Sequence, residues 1–108
     1  MSHILLRIVE GACVALYRHE PSGAAEQLPS RRDLFNYVGG YGWGYGGSGA
    51  INLSHAIAGK IFEMDNLDDA ELCERALVIL EQVISKSSLQ NDSEHDISVA
   101  SIKRLFPD

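Results

Sequence analysis

Basic residues are scarce in this chain: nine Lys and Arg stand against fifteen Asp and Glu, a formal net charge of −6 over 108 residues. A general grip on nucleic acid needs a basic face to neutralise phosphates, so direct nucleic-acid binding is not expected. An acidic protein instead suits a basic partner surface, or imitates DNA in front of one. Long apolar runs are lacking too. None reaches membrane-spanning length, and Arg7 cuts off Ile4-Leu5-Leu6 before it can form the apolar centre of a signal peptide, so no membrane contact is expected and the cytoplasm is the expected compartment. Cysteine is limited to Cys13 and Cys73, far apart and in apolar surroundings, which reads as two buried free thiols. Neither a Cys-x-x-Cys pair nor a Cys/His spacing points to zinc, and no metal or cofactor is expected.

What is present is an ordinary globular composition, 45% hydrophobic and 22% charged, at a length that makes residues 1–108 one domain with a single core. Against that background one stretch stands out. Gly39 to Gly49 holds seven of the ten glycines and the only tryptophan, Trp43. Glycine loses the most backbone freedom on folding, so this density calls for positive φ or for close approach to the main chain. Two readings follow. In one, the stretch is a tight turn leading into a helix, with Tyr41, Trp43 and Tyr45 packed as core or rim. In the other it is a ligand loop: amides of Gly46, Gly47, Ser48 and Gly49 face a phosphate at a helix start, Trp43 or Tyr45 stacks a base, and Arg31 or Arg32 supplies charge.

The flanking pattern predicts an α+β fold. Residues 4–9 and 13–19 are short β-branched and aromatic runs separated by Glu10-Gly11-Ala12, an antiparallel hairpin. Two strands alone are marginal in water, so a third strand or a partner subunit is expected, and a homodimer is one way to supply it. Residues 20–30 read as an irregular connection. Ser48 or Gly49 stands at the cap of a helix over 50–62, whose apolar face carries Leu53, Ile57 and Ile61, with His55 off that face. Gly59 marks a close crossing with another element.

Between Glu63 and Glu74 six carboxylates, Glu63, Asp65, Asp68, Asp69, Glu71 and Glu74, occur without one basic residue. Asp68 and Glu71 have the spacing of a capping box, with Leu67 and Leu72 as its hydrophobic staple, and acids in a first turn suit the helix dipole. The same residues form an acidic face for a protein partner. The second helix runs to about Lys86 and is predicted to be the most buried one. A polar loop over 87–95 follows, then a short strand ending near Ile97. Ser98 caps a last helix with Ile102, Leu105 and Phe106, closed by Pro107. The prediction is therefore a hairpin or small sheet, the glycine-aromatic loop, and three helices on one face.

Catalytic signatures are weak. Ser48 or Cys13 would need a base from His3, His19, His55 or His95. A Gly-x-Ser-x-Gly elbow needs a parallel strand before it and a larger sheet. No lysine follows the last glycine, as a Walker loop requires, and no parallel βαβ unit surrounds the stretch. An enzyme is not expected.

Asn36, Gly40-Tyr41, the run Trp43-Gly44-Tyr45-Gly46-Gly47-Ser48-Gly49 and Leu53 resemble the signature of a family of small bacterial and bacteriophage proteins of unknown function. The order of hairpin, glycine motif, two helices, Ser98 turn and final helix is similar along nearly the whole chain. The chain departs from that family at Ala50, where proline is common, and at Tyr37-Val38-Gly39, where a His-Ser-Pro-like segment is common. The resemblance implies a phage or prophage setting, hence a host cytoplasm, but no activity. The expectation is a non-enzymatic binding protein, an inhibitor of a host defence protein acting through the acidic surface. The alternative is a sponge that sequesters a phosphorylated, cyclic nucleotide in the glycine-aromatic loop.

Overall fold

The two N-terminal apolar runs pair because a two-residue turn joins them. Glu10 and Gly11 take φ of 51° and 80°, and two consecutive positive values give a turn whose twist matches that of the strands. Strand β1 (His3–Val9) thereby folds onto β2 (Ala12–Arg18), in register from His3 opposite Arg18 to Val9 opposite Ala12. The computed structural model describes residues 1–20 and 23–106. Pro21, in the predicted 20–30 connection, and Pro107, the predicted stop of the last helix, lie outside the described residues.

Two short strands complete the sheet from within the chain. β3 (Glu26–Gln27) adds to β2 and β4 (His95–Ser98) adds to β1, giving the order β3-β2-β1-β4 with every neighbouring pair antiparallel. Three α-helices are present among the described residues: α1 (Ser48–Ile61), α2 (Asp69–Ile79) and α3 (Val99–Lys103). The fold is α+β, as the pattern predicts. Ile4, Leu6 and Ala15 from the sheet share one core with Trp43, Leu53 and Ile57, with Leu72, Ala76 and Ile79, and with Ile102. Each fully buried Leu or Ile contributes about 1.5–3 kcal/mol relative to exposure, so this shared core holds sheet and helices together.

Burial corrects the prediction about the helices. α1, not α2, is the most buried: every residue from Asn52 to Gly59 is inside, whereas α2 buries only Leu72, Ala76 and Ile79. The cause is side-chain size, since Ser54, Ala56, Ala58 and Gly59 let neighbours close in on several sides. His55, placed by the pattern off the apolar face, is therefore only 6% exposed. Its Nδ1 lies 2.8 Å from the Ile51 carbonyl and its ring stacks on Phe35 at 5.4 Å. Phe35 covers the flank that periodicity assigns to solvent.

The capping box at α2 forms as its spacing predicts. The Glu71 amide donates to Asp68 Oδ1 at 2.8 Å, and the Asp68 amide donates back to Glu71 Oε1 at 3.2 Å. Ser98 likewise caps α3, accepting from the Ser101 amide at 3.1 Å. Past Ile79 the helix widens into a π-helical turn, Leu80–Ile84, with the Ser85 amide donating to the Leu80 carbonyl at 2.8 Å. The Ile84 carbonyl then accepts the Gly44 amide at 2.7 Å, tying the glycine stretch to the end of this helix.

Gly44 has φ of +81°, and a Cβ there would lie 2.8 Å from the Asn91 nitrogen. Gly44→Ala is expected to cost at least about 1–2 kcal/mol in denaturant melts, from left-handed backbone alone. A Cβ on Gly40 meets nothing within 4 Å and its φ is not positive, so Gly40→Ala should stay within about 1 kcal/mol of the parent. Equal effects of the two changes would contradict this assignment.

Candidate functional site

The glycine stretch is first a clasp. Trp43 is fully buried, and its Nε1 donates to the Ser93 carbonyl at 2.9 Å. With the Gly44 to Ile84 bond, this fastens the loop to the segment that follows α2. Tyr41 is half-buried and its hydroxyl donates to the Leu28 carbonyl at 2.8 Å. Burial pushes the Tyr41 phenol up from 10.0 to about 12.

Tyr45 explains several glycines at once. A Cβ on Gly42 would lie 2.5 Å from the Tyr45 hydroxyl oxygen, and one on Gly47 2.6 Å from its ring. A Cβ on Gly49 would approach the same hydroxyl to 3.3 Å. The ring thus folds back over the first turn of α1, while 45% of the residue stays exposed. This arrangement also corrects the predicted cap. Gly47 is the N-cap, without a side-chain hydrogen bond, and Ser48 is the first helical residue. The Tyr45 ring occupies the space that a side chain at position 47 would need.

The residues of the ligand-loop reading are only partly gathered. Tyr45, Gly46, Gly47, Ser48 and Gly49 lie together at the start of α1, with Tyr41 behind them, while the Trp43 ring faces the interior. Arg31 lies across Gly59, ten residues or about 15 Å further along the helix than Gly49. It grips Asp33 through two bonds, Nε to Oδ1 at 2.9 Å and Nη2 to Oδ2 at 2.8 Å, which raise the Arg31 pKa and lower that of Asp33. This is the close crossing that Gly59 predicts. Arg32 donates to Asn36 Oδ1 at 3.2 Å.

Asn52 escaped the sequence reading. It is 1% exposed, donates through Nδ2 to the carbonyls of Gly39 and Gly40 at 3.3 and 3.2 Å, and leaves its Oδ1 without a partner. It lies on the wall of a cleft of about 440 Å³ that also involves Gln27, Ser30, Gly39, Gly40 and Tyr41. The available signal was an amide set between Ile51 and Leu53 in an otherwise apolar helix.

The acidic segment turns the chain from α1 into α2. All six of its carboxylates are exposed, as is Met64, at 86%. Asp68 and Glu71 share the capping box, and Glu63 lies 3.5 Å from Lys60. The carboxylates of Asp65, Asp69 and Glu74 make no hydrogen bond or ion pair among the described residues.

No hydrogen bond among the described residues joins Ser48 or Cys13 to a histidine: His19 contacts Ser2, His55 the Ile51 carbonyl and His95 the Gln90 carbonyl. Both thiols are free, and they are half-buried rather than buried: Cys13 packs at the margin of the core and Cys73 lies 3.8 Å from the Leu34 carbonyl. Burial raises the Cys73 pKa, which keeps that thiol protonated. No group of three His, Cys, Asp or Glu among the described residues is arranged to hold a metal ion. Comparison with family models, curated proteins and solved structures gives no match.

Two expectations follow. As the only tryptophan, Trp43 should emit as a buried indole that reddens on unfolding, and Trp43→Phe, which strips the Ser93 carbonyl of its donor, should cost about 1–3 kcal/mol. Red emission from the folded protein would contradict the clasp. The raised Tyr41 pKa means the folded state holds that proton more tightly than the unfolded state. Its stabilising contribution is complete below pH 10.0 and lost as pH rises through about 12. Melts across this window should show a decline that Tyr41→Phe reduces; an unchanged decline would overturn the assignment.

Proposed function

We propose that this is a non-catalytic binding protein that presents the acidic turn between α1 and α2 to a basic surface on a partner protein. One observation carries the reading: six exposed carboxylates lie between Glu63 and Glu74, three of them unpaired among the described residues, in a segment that also exposes Met64. Like charges held this close create a field that steers a basic partner and repels an acidic one. Met64, exposed in the same segment, adds a flexible apolar contact. The capping box does not remove Asp68 and Glu71 from this surface. Each uses one oxygen at the helix start and keeps its charge.

The motif resemblance supplies the class of partner, a host defence protein met by a phage or prophage product. A groove that grips nucleic acid is basic, and an acidic turn is its complement. The alternative of a nucleotide sponge has weaker support. Trp43 is committed to the core and Arg31 to Asp33, so of the residues assigned to that reading only Tyr45 is left to stack a base and only Arg32, bonded to Asn36, to supply charge.

The test is the triple variant Asp65→Lys, Asp69→Lys, Glu74→Lys, which spares both capping residues. Wild type should capture a protein with a basic surface from host lysate, and capture should fall as the screening length drops towards about 8 Å at physiological salt. The triple variant should lose that protein while still melting as a folded domain, its stability lowered by no more than the roughly 1 kcal/mol that a lysine in the first turn of α2 costs. Capture indifferent to both salt and the three substitutions would refute the proposal.

A further inference from the structure

We propose that the cleft where α2 meets the ends of α1 and α3 binds a small aromatic carboxylate on Arg75, with the ligand's ring against Phe62 and Phe106. Three elements build the site. Phe62 closes α1, Arg75 stands on α2, Lys103 ends α3 and Phe106 follows it; with Asp65 and Leu67 they line a cleft of about 550 Å³. The two rings meet edge to face with centroids 5.4 Å apart. The Arg75 guanidinium lies over both, 4.6 Å from the Phe62 centroid and 4.9 Å from that of Phe106, and the Lys103 ammonium lies 5.8 Å from the Phe62 centroid. Two cations thus converge on one aromatic corner of a chain whose net charge is −6.

The guanidinium leans on the rings because its acidic neighbours are otherwise placed. Glu71, one turn earlier on α2 and in the favourable position for an ion pair, is spent on the capping box. Asp65 lines the same cleft, yet neither Arg75 nor Lys103 forms an ion pair among the described residues. An aromatic face offsets the charge of a guanidinium without taking up its N–H donors, so the fork of Arg75 faces a cleft with its hydrogen bonds still to give. Arg75 is half-buried and packed on two rings, which fixes it before a ligand arrives and lowers the ordering cost of binding.

The surroundings choose among anions. A carboxylate matches the planar guanidinium in two parallel N–H···O bonds, and Lys103 adds a point charge on the same wall. Asp65 and the net charge of −6 weigh against a dianion such as a phosphate monoester, whose second charge would meet repulsion. Phe62, Phe106 and Leu67 form an apolar wall that a bare acetate cannot cover, whereas an aromatic ring packs on the two phenyl groups in the geometry they already use with each other. The cleft has the volume of a small-molecule site. It touches the acidic turn at Asp65 but does not need that turn to meet a protein.

Titration of the 15N-labelled protein with hydrocinnamate tests the assignment. The Arg75 Nε signal and the Phe62 and Phe106 amide signals should shift saturably. Hydrocinnamyl alcohol keeps the body without the charge, acetate keeps the charge without the body, and phenyl phosphate brings a second charge; each should bind at least about tenfold more weakly. Arg75→Lys keeps the charge but not the fork, and should weaken binding at least about tenfold, the worth of one hydrogen bond to a charged group, in a protein that still melts as a folded domain. The double variant Asp69→Lys, Glu74→Lys, which disables the acidic turn, should bind hydrocinnamate at least as tightly as wild type, so the two proposals fail separately. Equal binding of the alcohol or of acetate would remove the need for charge or for an aromatic body, and tighter binding of phenyl phosphate would make this a phosphate site. Full binding by Arg75→Lys would reduce the effect to charge, and unmoved Arg75 and Phe106 signals would leave the guanidinium as a packing group. Any one of these results overturns the proposal.

Discussion

The bond from the Gly44 amide to the Ile84 carbonyl, beside the bond from the Trp43 indole to the Ser93 carbonyl, is the constraint on which the rest of the structure depends. It joins the segment before α1 to the segment after α2, so both helices and the strand that follows them are held as one unit. The indole fills the core while its only donor reaches a main-chain oxygen, satisfying a polar group that would otherwise be costly to bury. Around this clasp the glycines divide into distinct duties. Gly44 supplies a left-handed backbone, Gly42 and Gly47 make room for Tyr45, Gly49 lets the main chain at Gly42 approach, and Gly40 stands open to the cleft at Asn52.

Legibility in the sequence followed the range of the interaction. The hairpin, the Asp68–Glu71 box and the Ser98 cap depend on residues a few positions apart, and all three were readable from spacing. The burial of α1 was not. Periodicity assigns His55 to solvent because it sees only the helix, whereas Phe35 reaches that flank from a distant loop. Ser48 misled for a related reason: serine is a good cap in general, but Tyr45 folds over the capping position and leaves room only for Gly47. Of the candidate site, the acidic turn was visible as composition. Asn52 was not singled out, since its significance lies in a missing partner that only three dimensions reveal.

The two surfaces differ in how they hold charge. The acidic turn carries full carboxylates in water, where attraction is long-ranged and screened by salt. The cleft at Arg75 holds its charge against two phenyl rings, where reach is short and demand is geometric.

The π-helical turn at Leu80–Ile84 also fixes a count of residues. Such a turn is what one additional residue in a regular helix produces. Excising that residue would restore ordinary winding and rotate everything downstream by about 100° around the helix axis. The Ile84 carbonyl, at the end of that turn, would be carried away from the Gly44 amide. Between Ile79 and the end of that turn the number of residues, and not only their kind, sets the angle at which the chain leaves the helix.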